Sequence, residues 1–209
     1  MAADTDHVWG TGSNPYWDDG KYPTHLSLHA VRGRLTARRL WMHNISAGDA
    51  LLGDPGLLLG ELGSFKTAKS HKYCFVPHYK DDFEVRRRFS HNMTIISVTD
   101  TWHAVVSRIA SCTYVFSTSL HGLIAADALE VPSRWVQLSD LPSFLTEKSF
   151  KFQDYYSVFS RELATPLMYV PNDRISEYFD KRIPKQLIRN IRTSLELCFP
   201  YYLFEAHEL

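Results

Sequence analysis

Charge of neither sign prevails in this chain: 23 Lys and Arg face 23 Asp and Glu over 209 residues. That balance leaves no global field to draw in nucleic acid or an anionic bilayer, so neither is expected as a partner. The local basic groups, Arg32, Arg34, Arg38 and Arg39 and the run Arg86-Arg87-Arg88, fit a solvated helix face better than a binding stripe. Cysteine is scarce. Cys74, Cys112 and Cys198 are odd in number and far apart, so neither a disulfide framework nor a zinc site is expected, in keeping with a reducing cytosol. No apolar run nears the roughly 18 residues a membrane span needs. The acidic start, MAADTD, is unlike a signal peptide. The expected location is the cytoplasm, including the inner face of the membrane.

What the chain does have is a regular alternation of short apolar β-rich runs with helical stretches, at an ordinary globular apolar content of 44%. Residues 113–138 are the clearest case. Tyr114, Val115 and Phe116 form a strand that breaks into the small polar turn Ser117-Thr118-Ser119. A helix from Leu120 to Leu129 follows, apolar on nearly every face, and a second strand runs from Arg134 to Leu138. Strand, turn, helix and strand in this order make a parallel crossover, the unit of doubly wound α/β domains. The same spacing predicts strands over His71–Pro77 and Met93–Thr99 and helices over Asp81–Phe89 and Thr101–Ala110. Upstream, a short strand at Asp6–Trp9 runs into Gly10-Thr11-Gly12, residues 24–31 alternate as a strand, and Gly33–Trp41 reads as a basic helix. Gly53-Asp54-Pro55-Gly56 is a turn. Helices are also expected over Phe150–Phe159 and Lys185–Leu197, the second with Leu187, Ile188, Ile191 and Leu195 on one stripe. The fold class is α/β, with a Rossmann-like parallel sheet.

Open α/β sheets bind ligands past the carboxyl ends of their strands. His121 stands in the first helical turn beyond such an end, where unpaired N–H groups and the helix dipole suit a carboxylate or phosphate. Ser117, Thr118 and Ser119 offer hydroxyl and N–H donors to phosphate, or serve only to cap the helix. His78 ends one neighbouring strand and Asp100 the next. They are a second acid/base and a hydroxyl or histidine partner, or else a surface-loop histidine and a helix N-cap. Gly10 and Gly12 let the backbone approach a ligand closely. His25 and His29 share a strand face but lack a third ligand, so no metal is expected. Tyr155, Tyr156 and Phe159 have the helical spacing of core aromatics rather than a sugar platform.

Seven segments in unbroken order carry a family resemblance: VWGTGSN (8–14), HAVRGRLTARRL (29–40), LLGDPGLLL (51–59), FVPHYKD (75–81), SVTDTW (97–102), FSTSLHGLIAADALEVPSRWVQL (116–138) and KFQDYYS (151–157). The chain resembles the polysaccharide pyruvyl transferases over roughly residues 7–160, especially the exopolysaccharide ketal-pyruvyltransferase branch. The resemblance implies two Rossmann-like lobes arranged as in GT-B glycosyltransferases, with the site between them. It implies phosphoenolpyruvate as donor substrate, no further cofactor, and a saccharide acceptor, free or lipid-linked. On this reading residues 1–63 are the remnant of a truncated N-terminal lobe, 64–70 a linker, 71–160 the C-terminal lobe and 161–209 a helical tail. Arg32 matches a family arginine assigned to substrate binding. Ser119 stands where many relatives carry Arg, so a basic anchor for the donor is expected elsewhere. Ketal formation needs a proton on the donor methylene carbon, which suits histidine, with His121 first and His78 second. A half-built cleft exposes apolar surface, so a homo-oligomer is also expected. The rivals are a nucleotide-sugar glycosyltransferase on the same architecture and a catalytically silent fragment.

Overall fold

A computed structural model describes residues 5–14, 22–23, 25–63, 65, 67–138, 144–159, 165–168, 175–179 and 183–205. Two sheets form, and every pairing between the described strands is parallel. The first has the order β1-β2-β3, from His7–Thr11, Ser27–Val31 and Leu51–Leu52. The second has the order β5-β4-β6-β7, from Thr94–Ile95, His71–Val76, Cys112–Ser117 and Ser133–Trp135. Five helices named here pack around them: α1 (Arg34–Met42), α2 (Asp82–Phe89), α3 (Trp102–Ala110), α4 (Leu120–Ala128) and α5 (Phe144–Tyr156). A 3₁₀ helix, Pro55–Glu61, follows β3, and α6 (Lys185–Leu197) lies near the carboxyl end. The strand expected over Met93–Thr99 shrinks to the two paired residues of β5, because this edge strand pairs with β4 alone.

The second sheet is buried on both faces, as a parallel sheet requires. On one face Cys74, Val76 and Val115 meet Ile109 of α3 and Ala126 of α4. On the other, Phe75 and Phe116 meet Val85 of α2 and Phe179. A third cluster joins the two sheets. Leu120, Leu123 and Ile124 of α4 pack with Leu57 of the 3₁₀ helix, Ala30 of β2, Phe152 and Tyr155 of α5, and Ile188, Ile191 and Leu195 of α6. The stripe expected on Lys185–Leu197 thus seats α6 against the first sheet, where Trp9 Nε1 donates to Leu195 O at 2.9 Å. Tyr155 and Tyr156 are core, as their spacing predicted. Within the expected linker, Phe65 is buried against Val106 and Ala110. Of the expected tail, 161–164, 169–174, 180–182 and 206–209 lie outside the described residues.

The cysteines depart from expectation. Cys74 and Cys112 are joined as a disulfide, with Cα atoms 6.0 Å apart, while Cys198 is free. Sequence separation hid this pairing, since β4 and β6 are neighbours only through the crossover. The basic run Arg86-Arg87-Arg88 is a paired helix face: Arg86 bonds Asp82 at 2.6 Å, and Arg87 and Arg88 share Glu84.

One buried acid titrates inside this core. Asp127 of α4 accepts hydrogen bonds from Ser133 Oγ and Tyr155 Oη, each at 2.9 Å. Burial outweighs both bonds and pushes its carboxyl up from 3.8 to about 7. A raised carboxyl favours the protonated form in the fold. Its stabilisation is full below the unfolded value of 3.8 and is lost as pH climbs through about 7. The loss amounts to about 4 kcal/mol. Urea denaturation at pH 4.5 and pH 8 checks this. Asp127→Asn should gain stability on the wild type at pH 8 and not at pH 4.5; a pH-independent difference between the two proteins rules the titration out.

Candidate active site

The carboxyl ends of β4, β5 and β6 open on one cavity of about 770 Å³. His121 and Ser119 enter it from the loop after β6, His78 and Tyr79 from the loop after β4, and Asp100 and Trp102 from the loop after β5. Lys151 of α5 also lines it, and the 3₁₀ helix supplies an aliphatic wall through Leu58 and Leu59. Four of the residues singled out in the sequence, His121, His78, Ser119 and Asp100, therefore share one cavity.

Local geometry explains why they meet. Gly122 follows His121, and a Cβ there would lie 2.7 Å from both Ser117 Oγ and Val76 Cγ1. Only glycine lets the first turn of α4 sit this close to the sheet. Ser117 is buried and holds the turn from within: its Oγ lies 2.7 Å from Val76 O and accepts the Ser119 N–H at 2.9 Å. Thr118 Oγ1 accepts the His78 N–H at 2.8 Å, which ties the β4 loop to the β6 loop. Neither Ser117 nor Thr118 lines the cavity; both brace it from behind. Ser119 occupies the N-cap position of α4 without a side-chain cap bond, so the first-turn N–H groups lack that usual acceptor. Asp100 is not the N-cap of α3, a position held by Thr101. It pairs instead with Arg108 at 2.8 Å.

Arg32 takes a different place. It follows β2, its Nε donates to Asp154 Oδ2 of α5 at 3.1 Å, and its guanidinium packs where a Cβ on Gly12 would fall. Gly12 thus makes room for an arginine. Gly10, at φ 78°, makes room for Pro55, whose Cδ would lie 2.1 Å from a Cβ there. Asp154 is wholly buried and also accepts the Thr36 N–H at 2.9 Å and the Thr36 hydroxyl at 2.6 Å. Gly33 gives α1 no capping side chain, so α5 supplies the cap from across the fold. Asp54, at the head of the 3₁₀ helix, accepts the Gly56 N–H at 2.9 Å. Burial raises its carboxyl, against the lowering effects of the Gly56 N–H and of the charges on His121 and Arg32.

Sequence reasoning passed over Lys151, Asp154, Asp54, Tyr79 and Trp102. Lys151, Asp154 and Ser157 recur at intervals of three, a helical stripe that a reading for apolar periodicity ignores. His7 and His29 form a pair, with Nδ1 and Nε2 2.8 Å apart. Among the described residues no three His, Cys, Asp or Glu side chains gather as metal ligands, and no helix is long and apolar enough to cross a membrane.

The family model for polysaccharide pyruvyl transferase matches residues 8–140, which spans both sheets and every loop of the cavity except Lys151. The chain belongs to this family. An uncharacterised protein of Acanthamoeba polyphaga mimivirus is 31% identical over 141 residues, covering 64% of this chain and 48% of its own length. The succinoglycan biosynthesis protein ExoV of Rhizobium meliloti is 27% identical over 151 residues, covering 70% of this chain and 44% of its own length. The chain spans about half the length of these relatives. No solved structure matches. Within the matched residues, the segments 51–59, 75–81, 97–102 and 116–138 contribute to the lining of the cavity at the strand ends.

Proposed function

We propose that the protein transfers pyruvate from phosphoenolpyruvate to a saccharide as a ketal, in the synthesis of an extracellular polysaccharide, within a larger two-lobed arrangement of the GT-B kind. The observation that carries the reading is His121 beside Lys151 and the amino end of α4 in one cavity. The helix terminus and the ammonium suit a donor with a carboxylate and a phosphate. Lys151 answers the need for a basic anchor left by Ser119. In the reaction, His121 delivers a proton to the donor methylene carbon, which becomes a methyl group. The adjacent carbon gains oxocarbenium character and takes up one sugar hydroxyl. A second hydroxyl then displaces phosphate, and the two hydroxyl protons leave to the base and to the phosphate. His78, which lines the same cavity, takes the hydroxyl proton.

The test is thermal. At a hundredfold excess over its Kd, phosphoenolpyruvate should raise the Tm by roughly 5–10 °C. Incubation with an acceptor panel should release phosphate. Stabilisation by a nucleotide sugar alone would instead favour glycosyl transfer, and no response to either donor would leave a silent fragment.

A further inference from the structure

The cavity is several times larger than a three-carbon phosphate needs, and part of its lining is aromatic. There Tyr79 and Trp102 both line the wall while remaining 59% and 51% exposed. A single exposed aromatic needs no explanation. Two on adjacent loops, turned into one cavity and beside a carboxylate, are a recognisable surface. Trp102 is held in place, stacked on His103 with ring centroids 3.4 Å apart and edged by Phe65 at 6.0 Å. Tyr79 is braced by the His78 ring at 4.5 Å. Asp100 is fixed by Arg108 at 2.8 Å and presents carboxylate oxygens at the same wall. Rigid rings with an apolar face, next to a fixed hydrogen-bond acceptor, match the two sides of a pyranose: its C–H face and its hydroxyl edge.

We propose that Tyr79, Trp102 and Asp100 form the acceptor subsite, a platform that stacks one pyranose and orders its hydroxyls toward His121. This rests on the pyruvyl-transfer reading for its purpose, and the order of the sheet supports it. β5 and β4 carry the platform and β6 carries His121, so acceptor and donor approach from neighbouring loops. The platform also divides the roles of the two histidines. His78 follows β4, as Tyr79 does, and lines the same cavity as His121, where an acceptor hydroxyl would arrive.

Saturation-transfer NMR with methyl β-glucopyranoside and methyl β-galactopyranoside tests the subsite, with phosphoenolpyruvate binding followed separately by the Tm shift. At least one glycoside should receive saturation on its axial C–H face. Tyr79→Ala and Trp102→Ala should each weaken its binding about 3- to 10-fold, with recovery in Tyr79→Phe and Trp102→Phe. The phosphoenolpyruvate response should stay at the wild-type level in all four. Glycoside binding unchanged in both alanine variants, or no glycoside binding beside intact phosphoenolpyruvate binding, overturns the platform and leaves the donor reading standing. Glycoside binding that the alanine variants lose, without any phosphoenolpyruvate response, upholds the platform and removes the donor.

Discussion

His121→Asn should lower turnover by roughly 100- to 10,000-fold, the usual cost of losing a general acid/base. The substitution keeps size and polarity and removes the titrating ring. His121 is exposed on the first turn of α4, so its loss should leave packing and the unfolding midpoint near the wild type. Phosphoenolpyruvate should still raise the Tm, because the helix terminus and Lys151 remain. The decisive pattern is therefore a fall in kcat with donor affinity retained. His78→Asn supplies the comparison: a smaller fall, more marked where a hydroxyl must be deprotonated. Near-normal turnover in His121→Asn would falsify the central assignment and leave this histidine a helix-start residue.

The cavity edge was legible because one topological rule places it. A strand, a small polar turn and an apolar helix put His121 beyond a carboxyl strand end, and the repeated spacing did the same for His78 and Asp100. Helix identities were legible for the same reason, down to the bounds of Lys185–Leu197. What the sequence hid is whatever depends on distant pairing. Arg32 and Asp154 are 122 residues apart, and nothing local to either announces the other. Arg32 matches a family arginine assigned to substrate binding, but that Asp154 and the space left by Gly12 surround it could not be read locally. Cys74 and Cys112 meet only once β4 and β6 pair. Trp102 and Tyr79 were invisible for a different reason: an exposed aromatic is defined by what fails to cover it, which no periodicity reports.

The largest structural effect should come from Asp154→Ala. Its carboxylate is wholly buried and serves the Thr36 N–H, the Thr36 hydroxyl and the Arg32 guanidinium together. Removing it orphans two donors and strands a cation whose side chain is only 12% exposed. Breaking a buried pair from one side costs about 3–5 kcal/mol, a large share of the stability of a domain this size. Urea denaturation should show the loss, with amide exchange faster at the start of α1. Replacing both partners separates the structural role of Arg32 from a ligand role. Arg32→Met with Asp154→Leu leaves no buried charge, so it should recover part of the stability lost in Asp154→Ala, though Thr36 still lacks its acceptor. If Arg32 acts only as a brace, the double variant will keep the Tm rise with phosphoenolpyruvate. If its charge also acts on the donor, that rise will shrink while the fold recovers. Equal stability in Asp154→Ala and the wild type would mean that the pair does not hold α1 to α5, and that the apolar packing of α5 with Leu120, Leu57 and Ala30 suffices to seat it.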